Sequence, residues 1–216
     1  MADKAERKLC PKGHECPELK QIIRTLDLHE SDVLNAYIVG SHLWGTCHKH
    51  SDWDLVIVVG KLASHKPLNL HKGQIEAFIL SKSDYVEQIQ DHSMQVLVTL
   101  WVPDVFILTE HMDPKVLFCF NKSALLKSLA HTKDRDLRVA EKHFRKSDSK
   151  LSKKVLLHCI RYLCLATQVK TIGCIQEYEA GYDHRRVVMD DYSKSWEELL
   201  STVRPIIDEL WAALQT

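Results

Sequence analysis

Apolar positions along the chain change their spacing more than once. Over residues 17 to about 28 they recur at helical intervals in LKQIIRTL, which predicts a first helix. Residues 34–39 (LNAYIV) form a short apolar run that ends at Gly40 and Ser41, and they read as a strand. Residues 42–50 are polar and contain Gly45, a turn or a short helix. Residues 53–59 (WDLVIVV) are strongly β-branched and too short for a typical helix, which predicts a buried strand. A basic loop carrying Pro67 precedes a third strand over residues 74–80 (QIEAFIL). Ser83 opens a helix with Asp84 near its start, where the helix dipole favours an acid. Residues 93–101 are apolar at helical spacing, and Pro103 stops them.

Helical spacing then dominates residues 117–145, 151–170 and 195–214, and KSDSKLSK (residues 146–153) is the clearest polar break. The chain therefore reads as α+β in its first half, followed by a C-terminal helical bundle. A boundary near residue 112 gives units 1–112 and 113–216. No internal repeat or low-complexity linker interrupts it.

Bulk numbers narrow the function classes. The 216 residues suit one large or two small domains, with 45% apolar and 27% charged residues, the range of ordinary globular proteins. Lys plus Arg and Asp plus Glu each total 29. A zero net charge supplies no global field toward nucleic acid or membrane, so a polyanionic partner must be met by a local patch. No stretch approaches the ~20 apolar residues of a membrane span, and the charged N-terminal segment lacks the apolar core of a signal peptide. The seven cysteines are scattered, and Cys159 and Cys164 sit within apolar helical runs. Reduced thiols in a cytoplasmic protein are the expectation.

Chemistry concentrates in VGSHLWGTCHKHSDWDLVIVV, residues 39–59. Gly40 has no Cβ and lets the backbone approach a ligand closely. Ser41 adds a hydroxyl and an N–H, and the N-terminus of a short helix there would suit a phosphate. Asp52 and Asp54 flank Trp53, so strand alternation sets both carboxylates on one face and the indole on the other. Paired carboxylates raise each other's pKa and repel unless a cation lies between them. Mg²⁺ takes carboxylates together with phosphate oxygens, and two such ions serve phosphoryl chemistry. Glu76, mid-strand between Ile75 and Ala77, needs a cation or a solvated cleft and is the candidate third ligand.

A Gly-Ser turn, about ten residues, then Asp-x-Asp and an apolar strand resembles the signature of the DNA polymerase β-like nucleotidyltransferase superfamily. The segments GQIEAFILSKSDYVEQIQDHSMQVLVTLWVPD and KKVLLHCIRYLCLATQVKTIG are similar to later parts of a group of small predicted nucleotidyltransferases. The resemblance implies a mixed sheet with flanking helices, two Mg²⁺ ions (with Mn²⁺ as a substitute) and transfer of a nucleoside monophosphate from a nucleoside triphosphate. It implies that Gly40 and Ser41 hold triphosphate while Asp52, Asp54 and Glu76 hold metal and catalyse. Asp is commoner than Glu at the third position. The acceptor is left as an RNA end, a protein or a small molecule.

Each residue also has a plainer role. The aspartates could be a solvated strand entrance, and Ser51 could contact phosphate or close the turn before the strand. His158 and Arg161, three apart on one helix, could reach nucleotide or form a surface pair, and Lys153 and Lys154 could add charge or be solvated. Cys10, His14 and Cys16 supply only three of the four ligands of a structural zinc site, with His48 and His50 as further imidazoles. Trp44 is the candidate for stacking a base, and Trp53 for core packing.

Overall fold

The computed structural model describes residues 16–62 and 66–216. The chain divides into two compact units. One takes the residues up to Gln90 together with Gln95–Cys119, and the other takes Asp91–Met94 and Phe120–Thr216.

The first unit is α+β. Helix α1 (Leu19–Leu26) precedes strand β1 (Val33–Ile38), the short helix α2 (Gly40–Leu43) and strand β2 (Trp53–Val59). Strands β3 (Leu68–Lys72) and β4 (Ile75–Ser81) follow, then helix α3 (Lys82–Gln90), the turn-length α4 (Met94–Leu97) and strand β5 (Ile107–Glu110). The sheet order is β3-β4-β2-β1-β5, with β2 and β4 parallel and the other neighbours antiparallel.

Alternation along β2 sorts its residues between two faces. Trp53, Leu55, Ile57 and Val59 join Ala36 and Ile38 of β1 and Ile75, Ala77 and Ile79 of β4 in one buried cluster. Ile22, Ile23 and Leu26 of α1 close that cluster, which is why α1 forms: its apolar residues recur at helical spacing against a flat apolar sheet face. Tyr37, Val56, Val58 and Leu80 lie on the other face, and Tyr85 and Ile89 of α3 are also buried.

Two strands were not legible in the sequence. The segment read as a basic loop contains β3, an edge strand with three exposed residues, and Gly73 at φ 63° turns it into β4. Strand β5 is four residues of intermediate or exposed character.

The second unit is helical: α5 (Lys122–Arg145), α6 (Ser149–Ile172), α7 (Tyr182–Met189) and α8 (Trp196–Gln215). Side chains of Asn121, Asp148 and Ser195 accept the backbone N–H of Ala124, Leu151 and Glu198 and so cap α5, α6 and α8. Gly173 ends α6 in the left-handed region at φ 78°. The sequence expectation that no segment approaches a membrane span needs one correction. By length and apolar content α6 meets that standard, with 50% of the stretch buried in the structure, and it packs on α5, α7 and α8.

Candidate functional site

The end of β1 and the start of β2 are tied together at the Gly-Ser turn. Val39 N–H donates to the Asp54 carbonyl at 2.8 Å, and Ser41 N–H donates to Asp54 Oδ2 at 3.3 Å. Gly40 has φ 63°, and a Cβ built on it would lie 1.8 Å from Asp54 Oδ2. Two independent constraints therefore require glycine: the left-handed backbone and the absence of room. The carboxylate fills the place where any side chain would stand.

Asp54 and Glu76 are register partners across the parallel pair β2 and β4. Adjacent strands lie about 4.8 Å apart, and paired residues point to the same face. The two acids thus sit side by side, on the face opposite the α1 cluster. Asp54 is half-buried and Glu76 exposed, with His71 of β3 as the next register partner of Glu76.

Asp52 requires a correction. Strand pairing begins at Trp53, whose N–H donates to the Gln74 carbonyl at 2.7 Å. Asp52 precedes the strand and is exposed, so strand alternation does not fix its side chain. Among the described residues no three His, Cys, Asp or Glu side chains are grouped as a ready ion site. Hard carboxylate donors are present as an adjacent pair, which fits a divalent cation completed by phosphate oxygens and water.

Ser51 takes the turn role. Its Oγ accepts His48 N–H at 2.9 Å, and its own N–H donates to the His48 carbonyl at 2.8 Å. His48 and His50 are exposed on the same loop. Cys10 and His14 lie outside the described residues, and Cys16 Sγ donates to the Pro17 carbonyl at 3.5 Å. Trp44, expected to stack a base, is instead buried at 6% exposure. Trp53 is buried as expected, with the His42 ring stacked on it at 3.8 Å.

His158 and Arg161 belong to the helical unit. His158 Nδ1 lies 2.7 Å from Asp136 Oδ2, and Arg135 donates through Nε and Nη2 to Asp136 Oδ1 at 2.9 and 2.8 Å. The Asp136 side chain is 4% exposed and those of His158 and Arg135 36% and 46%, so a buried carboxylate is shared by two partly exposed hydrogen-bonding side chains. Sequence reasoning missed Asp136. Its signal is position: it continues the buried stripe Leu125, Leu129, Ala140 of α5.

Arg161 lies where α6 meets the turn before α7. The Cβ position of Gly181, before α7, is 3.5 Å from Arg161 Cα. Burial pulls the guanidinium down to about 10, and nearby Arg185 adds in the same direction. Lys153 donates to the carbonyls of Met189 and Asp191 and so caps the end of α7, while Lys154 is exposed.

No protein-family model matches the sequence, and no curated protein matches it. Two solved structures share features of its architecture. One is a spectinomycin adenyltransferase from Enterococcus faecialis, solved with ATP and spectinomycin. It is 13% identical, with 91% of this chain and 96% of that one covered at a TM-score of 0.45. The other is a nucleotidyltransferase-like protein from Exiguobacterium sibiricum. It is 12% identical, with 86% and 70% covered at a TM-score of 0.32. At these identities and scores neither neighbour assigns an activity.

Proposed function

We propose that the chain is a nucleotidyltransferase of the DNA polymerase β-like kind. It transfers a nucleoside monophosphate from a nucleoside triphosphate to an acceptor hydroxyl and releases pyrophosphate. One observation carries this reading: a Gly-Ser turn is pressed against a strand acid, with Asp54 Oδ2 in the place of a Gly40 Cβ and Glu76 in register beside Asp54.

In this reading the Gly40 N–H and the Ser41 hydroxyl donate to triphosphate oxygens, while the Ser41 N–H holds Asp54 Oδ2 and glycine at position 40 leaves that carboxylate its place. Asp54 and Glu76 would hold Mg²⁺, with Asp52 contributing from the segment before the strand; Mn²⁺ suits the same donors. Bound there, the ions neutralise phosphate charge and lower the pKa of the attacking hydroxyl. Glu76 is exposed and, when ionised, purely an acceptor, so it can take the acceptor's proton as the oxygen attacks the α-phosphorus in line. A cytoplasmic setting suits the free thiols of Cys47, Cys119, Cys159, Cys164 and Cys174.

The test is incubation with each labelled nucleoside triphosphate, Mg²⁺ and three acceptor classes: RNA ends, proteins and small molecules. Label should move to one class, and Asp54→Asn or Glu76→Gln should abolish pyrophosphate release. Unchanged turnover in the Asp52→Ala, Asp54→Ala double variant would sink the proposal. A second reading, a non-catalytic nucleotide-binding or protein-interaction module on the same fold, is favoured by one fact: among the described residues the three acids are not grouped as a ready ion site. Calorimetry that finds nucleotide binding without turnover on the whole panel selects it.

A further inference from the structure

Helix α5 carries six of its nine basic residues along one face, which the exposed acid Asp134 shares. Lys127, His131, Arg135, Arg138, Lys142 and Arg145 are four, four, three, four and three positions apart, and all six are exposed. At 3.6 residues per turn these spacings keep one face. The buried residues Leu125, Leu129, Asp136 and Ala140 follow the same spacing two positions out of step, about 200° away around the helix. The line therefore runs along the side of α5 turned away from its packing, for roughly 27 Å at ~1.5 Å per residue.

Its charge is only partly neutralised. Arg135 is shared with Asp136, and Arg145 with Glu141 and Glu197. Lys127, Arg138 and Lys142 have no ion pair among the described residues. Arg138, Lys142, Arg145 and Lys146 line one shallow open depression together with Glu141. Like charges four apart weaken a helix, a cost that the Glu141–Arg145 pair and the basic last turn offset only at the C-terminal end of α5. In a chain of zero net charge the line is a local contact surface rather than part of a global field.

We propose that this face of α5 binds the phosphate backbone of a single-stranded nucleic acid. A strand carries one phosphate per ~3.4 Å of helix axis in a duplex, so a line of this length meets several phosphates. A flexible single strand can follow a straight row of cations, whereas duplex phosphates wind away from it. No large apolar residue of α5 is exposed, and interfacial membrane helices need such residues beside their basic ones. That absence sets the nucleic acid ahead of a lipid surface. The inference is independent of the transfer reading, because it concerns binding without nucleoside triphosphate.

Fluorescence anisotropy of the full chain with a labelled oligouridylate of about 20 nucleotides tests it, alongside a duplex of equal length and vesicles containing anionic lipid. Affinity should fall with salt at a slope of about −0.7 in log–log terms for each phosphate neutralised on a single strand. The Arg138→Glu, Lys142→Glu double variant should weaken binding at least about tenfold and flatten that slope. The milder Arg138→Gln, Lys142→Gln pair should do the same in part, and circular dichroism checks that both fold. A charge-matched pair on α1, Lys20→Glu with Arg24→Glu, should leave affinity unchanged. Absent binding at about 50 mM salt, equal losses in the α1 and α5 pairs, or tighter binding to vesicles or duplex would overturn the proposal.

Discussion

Gly40 and Asp54 occupy one space: the carboxylate of Asp54 stands 1.8 Å from where a Cβ on residue 40 would be. Gly40→Ala must therefore move the acid as well as hold a left-handed backbone. The backbone alone costs about 1–2 kcal/mol, and displacement of Asp54 adds to it. Urea unfolding should show a loss above the backbone figure. Nucleotide-dependent activity should fall further than stability, since the carboxylate leaves its place beside Glu76. A Gly40→Ala protein with normal activity would show that the turn and the acid are not coupled.

The pairing of Asp54 with Glu76 sets function against stability. Like charges directly opposite one another on neighbouring strands are destabilising, at roughly 0.2–1 kcal/mol. Without divalent cations, Glu76→Gln should therefore match or exceed the native chain in thermal stability. Mg²⁺ should raise the melting temperature of the native chain and have a much smaller effect on the variant. An equal Mg²⁺ response in both proteins would remove Glu76 from the ion's surroundings.

What the sequence made legible follows the strength of each local signal. Strand β2 is one β-branched run buried on both faces, and its bounds were readable to the residue. The Gly-Ser turn and the acids of β2 and β4 were readable because their residue types are unusual next to apolar strands. Strand β3 hid behind Pro67, Lys72 and polar positions that an edge strand tolerates, since half of its backbone groups face solvent. Asp52 and Asp54 looked equivalent by alternation, but the ladder starts one residue after Asp52, and no spacing rule reveals where pairing begins. Trp44 stood in a polar loop, and only the tertiary fold buries it. Asp136 lay among charged neighbours in DRD. Its burial depends on α6 bringing His158 to it, a contact 22 positions away in sequence.

Asp136 holds the surface of α5 and α6 together through one carboxylate with two partners. Hydrogen bonds to charged groups contribute about 1.5–3 kcal/mol when lost. His158 and Arg135 are partly solvated and can turn to water, which places Asp136→Ala toward the lower end. His158→Ala should cost less, because it leaves Arg135 on the carboxylate. The double variant should be less destabilised than the sum of the singles, a coupling of about 0.5 kcal/mol or more for groups in contact. Strict additivity in a denaturant series would show that the 2.7 Å contact contributes no coupling.

Alkaline pH should weaken the fold through its buried acids. Burial pushes the Cys159 thiol up to about 12, with the nearby Asp136 carboxylate adding to it. Burial likewise raises Tyr85 to about 12. Both groups keep their proton in the folded chain while the unfolded chain releases it, from about pH 8.5 for a thiol and about pH 10 for a phenol. The unfolded state then binds fewer protons, so stability falls as pH rises. The contribution is intact below pH 8.5 and declines from there toward 12. Urea midpoints measured at pH 7.5, 9 and 10 should decrease in that order. Cys159→Ala should be less stable at pH 7.5 because it leaves a cavity, yet show a shallower decline, since it lacks the thiol. A thiol reagent at pH 9 should label exposed Cys119 long before Cys159. Equal labelling of the two, or midpoints that do not move with pH, would show that Cys159 is not sealed in the core of the helical unit.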